Sequence, residues 1–231
     1  MGARIVNPEC IYTKLEDATG DAGYNFVRLN EKTVNDYLDK DEYSKILMLI
    51  FHECTHTYQK YYIRSGEIVN YLLLIQTKEA IIRNRYSSYY DENYQMCSEE
   101  SEARYMDYKE LLEYLKILKL GLSAENTNYC NLMMKENYEN IKDENRVLNG
   151  KKTNVGEIFD NIELTVNEYK RFPLLKIEYK IENGGVIKKS KEEIENDYNN
   201  YLASLKNEFD RQQICYLYSK IMDEKIKNNL N

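Results

Sequence analysis

The run from Ile46 to Phe51 is wholly apolar, and it stops at His52-Glu53-Cys54-Thr55-His56, an H-E-x-x-H spacing. An apolar stretch of this length that turns polar in this pattern has few ways to fold. On a helix at about 100° per residue, His52 and His56 lie about 40° apart, one turn above the other. Two imidazoles so placed can share one tetrahedral metal ion. Glu53 projects on the same side, within reach of a water at that ion. The apolar lead-in predicts a buried helix, and a buried helix that presents three polar groups together must give them partners. The reading of this segment as a helix runs from Asp41 or Ser44, either of which can cap it, to about Ile63, with Ser65-Gly66 as the stop.

The two histidines of this motif are the only two in the chain. A catalytic zinc takes three protein ligands and leaves one position open. The third donor therefore cannot be another histidine: a carboxylate must serve, or the site is defective. The five cysteines, Cys10, Cys54, Cys97, Cys130 and Cys215, are odd in number, dispersed and without a C-x-x-C pair. That pattern fits free thiols in a reducing compartment. Cys54 sits about 200° from His52 on the helical wheel and is expected to pack away from the metal.

The best carboxylates lie in the segment Cys97 to Asp107, which contains Glu99, Glu100 and Glu102. Here the sequence resembles the gluzincin group of zinc peptidases, in particular the small H-E-x-x-H plus E-x-x-A forms. These include immunity-type and minimal zincin peptidases of bacteria and mobile elements. In that group the glutamate of E-x-x-A is the third ligand, and Glu100-Ser101-Glu102-Ala103 matches it. The resemblance implies that His52, His56 and Glu100 hold Zn2+ and that Glu53 is the general base that activates the zinc-bound water. Ala103, one turn on, is small enough for its helix to approach the histidine helix. Glu102 is about 200° from Glu100 and is expected to face elsewhere. The resemblance spans about residues 42–107. It departs from the common E-x-x-A-D form, because Arg104 stands where the aspartate does. Asp107 and Glu99 are then the carboxylates left to hold a ligand imidazole N–H. Gln59 extends the motif to H-E-x-x-H-x-x-Q, a structural position more than a catalytic one.

The fold class expected is α+β and predominantly helical: a zincin-like core of a small sheet with the two site helices, then a C-terminal β-hairpin and long helices. Residues 1–122 form the core in this reading, and residues 123–231 an extension packed on it. Tyr24 to Leu29 is the most β-prone early segment and a candidate edge for an extended peptide. Glu16 to Gly23 reads as a turn. A third helix is expected over about Ser98 to Leu120, and another over Ser123 to Tyr138. Alternation from Phe172 to Ile181, then Asn183-Gly184-Gly185 and Val186-Ile187, predicts a hairpin. Ser190 and Glu193 form a capping box that opens a long helix to about Asn228.

The net charge of -7 disfavours nucleic acid as a partner. No apolar segment reaches the length of a membrane span, and no signal peptide is visible, so a cytoplasmic setting is expected. The expected activity is a zinc metallopeptidase acting on a protein or peptide substrate, with no nucleic-acid or membrane partner. The alternative is a zincin-fold protein that binds or regulates without turnover.

Overall fold

A computed structural model describes residues 8–66, 71–86, 93–148 and 151–204. The protein is α+β and predominantly helical. Contacts divide it into two compact units, and each is interrupted in sequence by the other. One unit comprises Val6–Tyr61 and Gln95–Asp143, and the other comprises Met1–Ile5, Tyr62–Tyr94 and Glu144–Asn231. This division differs from a single cut after residue 122, because the helix that follows residue 123 belongs with the histidine helix.

The first unit opens with three strands, β1 (Glu9–Thr13), β2 (Gly20–Ala22) and β3 (Phe26–Asn30). Their order is β1-β3-β2, with β1 parallel and β2 antiparallel to β3. β3 is thus the central strand, paired on both sides, so the segment expected to offer a free edge does not have one. The edge that runs antiparallel to it is β2, which lies within the stretch expected to be a turn. Asn30 then ends the sheet and starts α1 (Glu31–Leu38). Its side-chain oxygen accepts from the Lys32 amide, while its amide nitrogen donates to the carbonyls of Leu15 and Ala18. One residue therefore caps the helix and pins the β1–β2 loop.

Helix α2 (Tyr43–Ser65) carries the H-E-x-x-H motif. Val27, Leu29 and Val34 form a small core, against which Ile46, Leu49, Ile50 and Cys54 of α2 pack. This is the face expected of the apolar run, and it puts Cys54 among hydrophobic neighbours. α4 (Ser98–Ile117) and α5 (Ala124–Lys142) complete the unit as a packed helix pair. Ser123 caps α5 by accepting from the Asn126 amide. Cys97 precedes α4 without a side-chain cap, and Glu99 and Glu100 occupy its first turn, where the helix dipole favours carboxylates. Ser98, Ser101 and Ala103 are fully buried there, small side chains on a tightly packed helix start.

The second unit is built on α3 (Tyr71–Arg85), whose Leu72, Leu73, Ile75, Ile81 and Ile82 are buried. It packs on α6 (Val155–Asp160) and on a 3-10 turn at Pro173–Lys176. β4 (Asn145–Leu148) pairs with β5 (Lys151–Asn154), and β6 (Tyr179–Glu182) with β7 (Gly185–Lys188). The hairpin expected around Asn183-Gly184 is present, with φ of 51° and 81° at these two residues, as a two-residue type I′ turn needs. Its first strand is shorter than expected. Pro173 starts a 3-10 turn that buries Leu174 and Leu175, so strand pairing begins only at Tyr179. α7 (Val166–Arg171) has a complete Thr165/Glu168 capping box. Before α8 (Lys191–Ser204), the Ser190 amide donates to Glu193 and the Glu193 amide to Ser190 Oγ, as the motif predicts. The continuation of this helix to Asn228 and Cys215 lie outside the described residues. No described helix is long and apolar enough to cross a membrane. Cys10, Cys54, Cys97 and Cys130 are free thiols.

Candidate metal centre

The side chains of His52 and His56 rise from adjacent turns of α2 with ring centroids 4.7 Å apart and planes at 86°. Their Nε2 atoms are 3.1 Å apart. Glu100, on the first turn of α4, places Oε1 3.1 Å from His56 Nε2 and Oε2 3.4 Å from His52 Nε2. One ligand atom from each of the three residues falls within a 4.8 Å cluster. Three lone-pair donors that face one point repel one another unless a cation, or a proton, sits among them. Two imidazole nitrogens and a carboxylate are a donor set that suits zinc, so these residues fit the ion the motif implies.

Each ring nitrogen that faces away from the cluster has a partner. His52 Nδ1 is 3.1 Å from Asp107 Oδ2. His56 Nδ1 is 2.8 Å from Gln59 Oε1. Gln59 is completely buried, and its amide nitrogen donates to the Glu99 carbonyl at 2.9 Å and to Glu102 Oε2 at 2.7 Å. Of the carboxylates considered for holding an imidazole N–H, Asp107 is at hydrogen-bond distance, and Glu99 Oε1 is 3.8 Å from His56 Nδ1. Glu102 lies in this network as the acceptor of the Gln59 amide.

Electrostatics at the cluster are dominated by buried carboxylates. Burial pushes the His52 pKa down, but Asp107 and Glu100 outweigh it and raise the pKa from 6.5 to about 10. His56 is raised for the same reason, burial being overcome chiefly by Glu100. Glu100 itself is held well below the usual carboxylate range, because its two histidine partners outweigh its burial. Without a metal ion, the same carboxylates would draw protons onto the histidines, where a metal ion would place positive charge instead.

Glu53 is 5% exposed. Burial raises its pKa, and the neighbouring histidines offset this only in part. Its carboxylate lies over Gly20 of β2, where a Cβ would meet Glu53 Oε1 at 2.8 Å. Thr57, one turn on, donates its hydroxyl to the Glu53 carbonyl at 3.2 Å, and Lys60 reaches the Ala22 carbonyl at 2.5 Å. The motif helix is thereby fastened along the short edge strand.

All four residues expected at the site are thus found on two helices: His52, Glu53 and His56 on α2, and Glu100 on α4. The contact of Gly20 with Glu53 and the link from Gln59 to Glu102 are not expected from the sequence. The i, i+3 spacing of His56 and Gln59 was the available signal for the second, since residues so spaced share a helix face. Comparison with protein-family models, with curated proteins and with solved structures finds no match to this chain.

Proposed function

We propose that the chain is a zinc-dependent metallopeptidase of the gluzincin type, in which the three-stranded sheet, α2 and α4 make up a zincin-like core. The observation that carries this reading is the convergence of His52, His56 and Glu100 beside a buried glutamate. In this reading the three residues hold the ion. When bound, zinc supplies a Lewis acid that acidifies water and polarises a carbonyl.

The chain's own residues supply the proton transfers. Glu53 takes a proton from the attacking water and delivers it to the nitrogen of the departing amine, so that water adds across the C–N bond. Its raised pKa suits this double duty, because a carboxylate that is too acidic would keep no proton to deliver. Asp107 and Gln59 hold the outward ring nitrogens, which leaves both Nε2 lone pairs directed at the ion. The substrate backbone would lie along β2, the strand edge next to Glu53, and add a strand there.

The test compares wild type with Glu53→Gln for zinc content and for cleavage of a fluorescently labelled unfolded protein. The variant is expected to keep one zinc and to lose about 10²–10⁴-fold in rate, the usual contribution of a general base. Equal rates would overturn the assignment of Glu53. A wild type that binds zinc and cleaves no member of a broad peptide set would favour the alternative, a binding protein on the same scaffold.

A further inference from the structure

His52 and His56 are oriented by different devices. Asp107 accepts from His52 directly, and a carboxylate can only accept at that position. Gln59, by contrast, is a carboxamide, which could present either its oxygen or its nitrogen to His56. What decides is on the far side of the amide. Gln59 Nε2 faces two acceptors, the Glu102 carboxylate at 2.7 Å and the Glu99 carbonyl at 2.9 Å. Turning the amide over would set its oxygen against both of them, with all these groups buried. The oxygen is therefore fixed toward His56 Nδ1 at 2.8 Å.

We propose that Glu102 and Gln59 act together as a positioning relay: Glu102 sets the polarity of the Gln59 amide, which makes His56 Nδ1 a donor and leaves Nε2 free for the metal. The inference rests on the metal centre proposed above but not on peptide cleavage. It gives work to Glu102, a buried acidic residue that touches neither histidine. It also explains why a glutamine, one turn beyond the motif, is completely buried. Glu99 Oε1 stands 3.8 Å from His56 Nδ1, and the relay keeps the negative charge of Glu102 one hydrogen bond further out.

Zinc affinity and histidine NMR test this on the full chain without any substrate. With only two histidines, the imidazole 15N spectrum of the zinc-loaded protein contains two spin systems. Gln59→Leu is expected to weaken zinc binding, measured against a chromophoric chelator, by about 10–100-fold, the usual effect of losing an imidazole's outer partner. It should perturb the Nδ1–H signal of His56 and leave that of His52 in place. Because Gln59→Leu disturbs a packed site, a charge-swapped pair gives an independent check. Gln59→Glu alone sets two carboxylates against each other and should bind zinc poorly. Adding Glu102→Gln restores a donor at position 102, while the Glu99 carbonyl still faces an oxygen, and should recover part of the affinity. A Gln59→Leu variant with wild-type affinity and an unchanged His56 signal would overturn the relay. So would a double variant that binds no tighter than Gln59→Glu alone. Failure of wild-type cleavage with these results intact would instead count against the peptidase reading.

Discussion

Gly20→Ala is the substitution whose consequence can be followed most directly from atoms to rate. Gly20 does not use a left-handed backbone, so alanine costs nothing in conformation, and it even restricts the unfolded chain slightly. The added Cβ, however, would stand 2.8 Å from Glu53 Oε1, 3.0 Å from Glu53 Cγ and 3.1 Å from the Arg28 carbonyl. Carbon atoms in contact prefer about 3.5–4.0 Å, so something must move by about 0.5–1 Å. The Arg28 carbonyl belongs to the paired central strand and resists. The Glu53 side chain is the softer partner and is displaced instead. A misplacement of about 1 Å at a reacting group can cost about 10²-fold. On the proposed peptidase reading, the expected result is a kcat lowered by about 10–100-fold, with zinc stoichiometry, zinc affinity and thermal stability near wild type, because none of the proposed ligands is touched. Steady-state cleavage assays with parallel metal titration separate these quantities. An alanine variant with wild-type kcat would refute the reasoning, and so would one that loses zinc in step with activity.

Two further outcomes are expected. Removing metal exposes the titration of the cluster. The His52 pKa is raised to about 10 in the folded chain, so its bound proton stabilises the fold fully below about 6.5, and that contribution is lost as pH climbs through 10. Glu100, depressed in the fold, contributes above about 4.5 and loses its contribution as pH falls below it. The melting temperature of the metal-free chain should accordingly fall between pH 7 and 10, on the order of 5 °C, while zinc affinity rises over the same interval. A melting temperature that is flat there without metal would contradict the proton-holding cluster. In the second unit, Arg146 and Glu79 form a buried ion pair at 3.1 Å, with exposures of 2% and 1%. Arg146→Ala takes the cation out of this buried pair and should cost up to about 3–5 kcal/mol in denaturant unfolding, whereas Arg146→Met with Glu79→Leu should cost less than the single change.

What could be read from the sequence was what depends on local periodicity. The spacing of His52 and His56 fixes their mutual position within one helix, and the absence of other histidines narrows the third donor to a carboxylate. Glu100 and Asp107 lie seven apart on α4, and both reach His52, so a face of one helix was also legible. Strands β1 and β2 were not. Glu9 to Thr13 alternates poorly and is largely exposed, and Gly20 to Ala22 has turn composition. Both become strands only through their pairing with β3, a nonlocal event that no window of sequence contains. Phe172 to Ile177 failed for the opposite reason. Its apolar residues are buried as expected, but by a 3-10 turn that Pro173 initiates. The Gln59 relay needs the relative rotation of two helices. The wheel separates Glu102 from Glu100 correctly, yet only packing shows that the neighbouring face, Glu99 and Glu102, meets Gln59.

The interleaving of the two units also imposes an order in time. His56 and Glu100 are 44 residues apart, and the intervening chain, Tyr62–Tyr94, builds part of the other unit. At about 5–20 residues per second, a ribosome needs about 2–9 s to travel from the second histidine to the glutamate. During those seconds the nascent chain presents His52, Glu53 and His56 without Glu100. If the reading proposed here holds, a hydrolase made this way stays inert beside its own unfolded backbone until α4 emerges and docks.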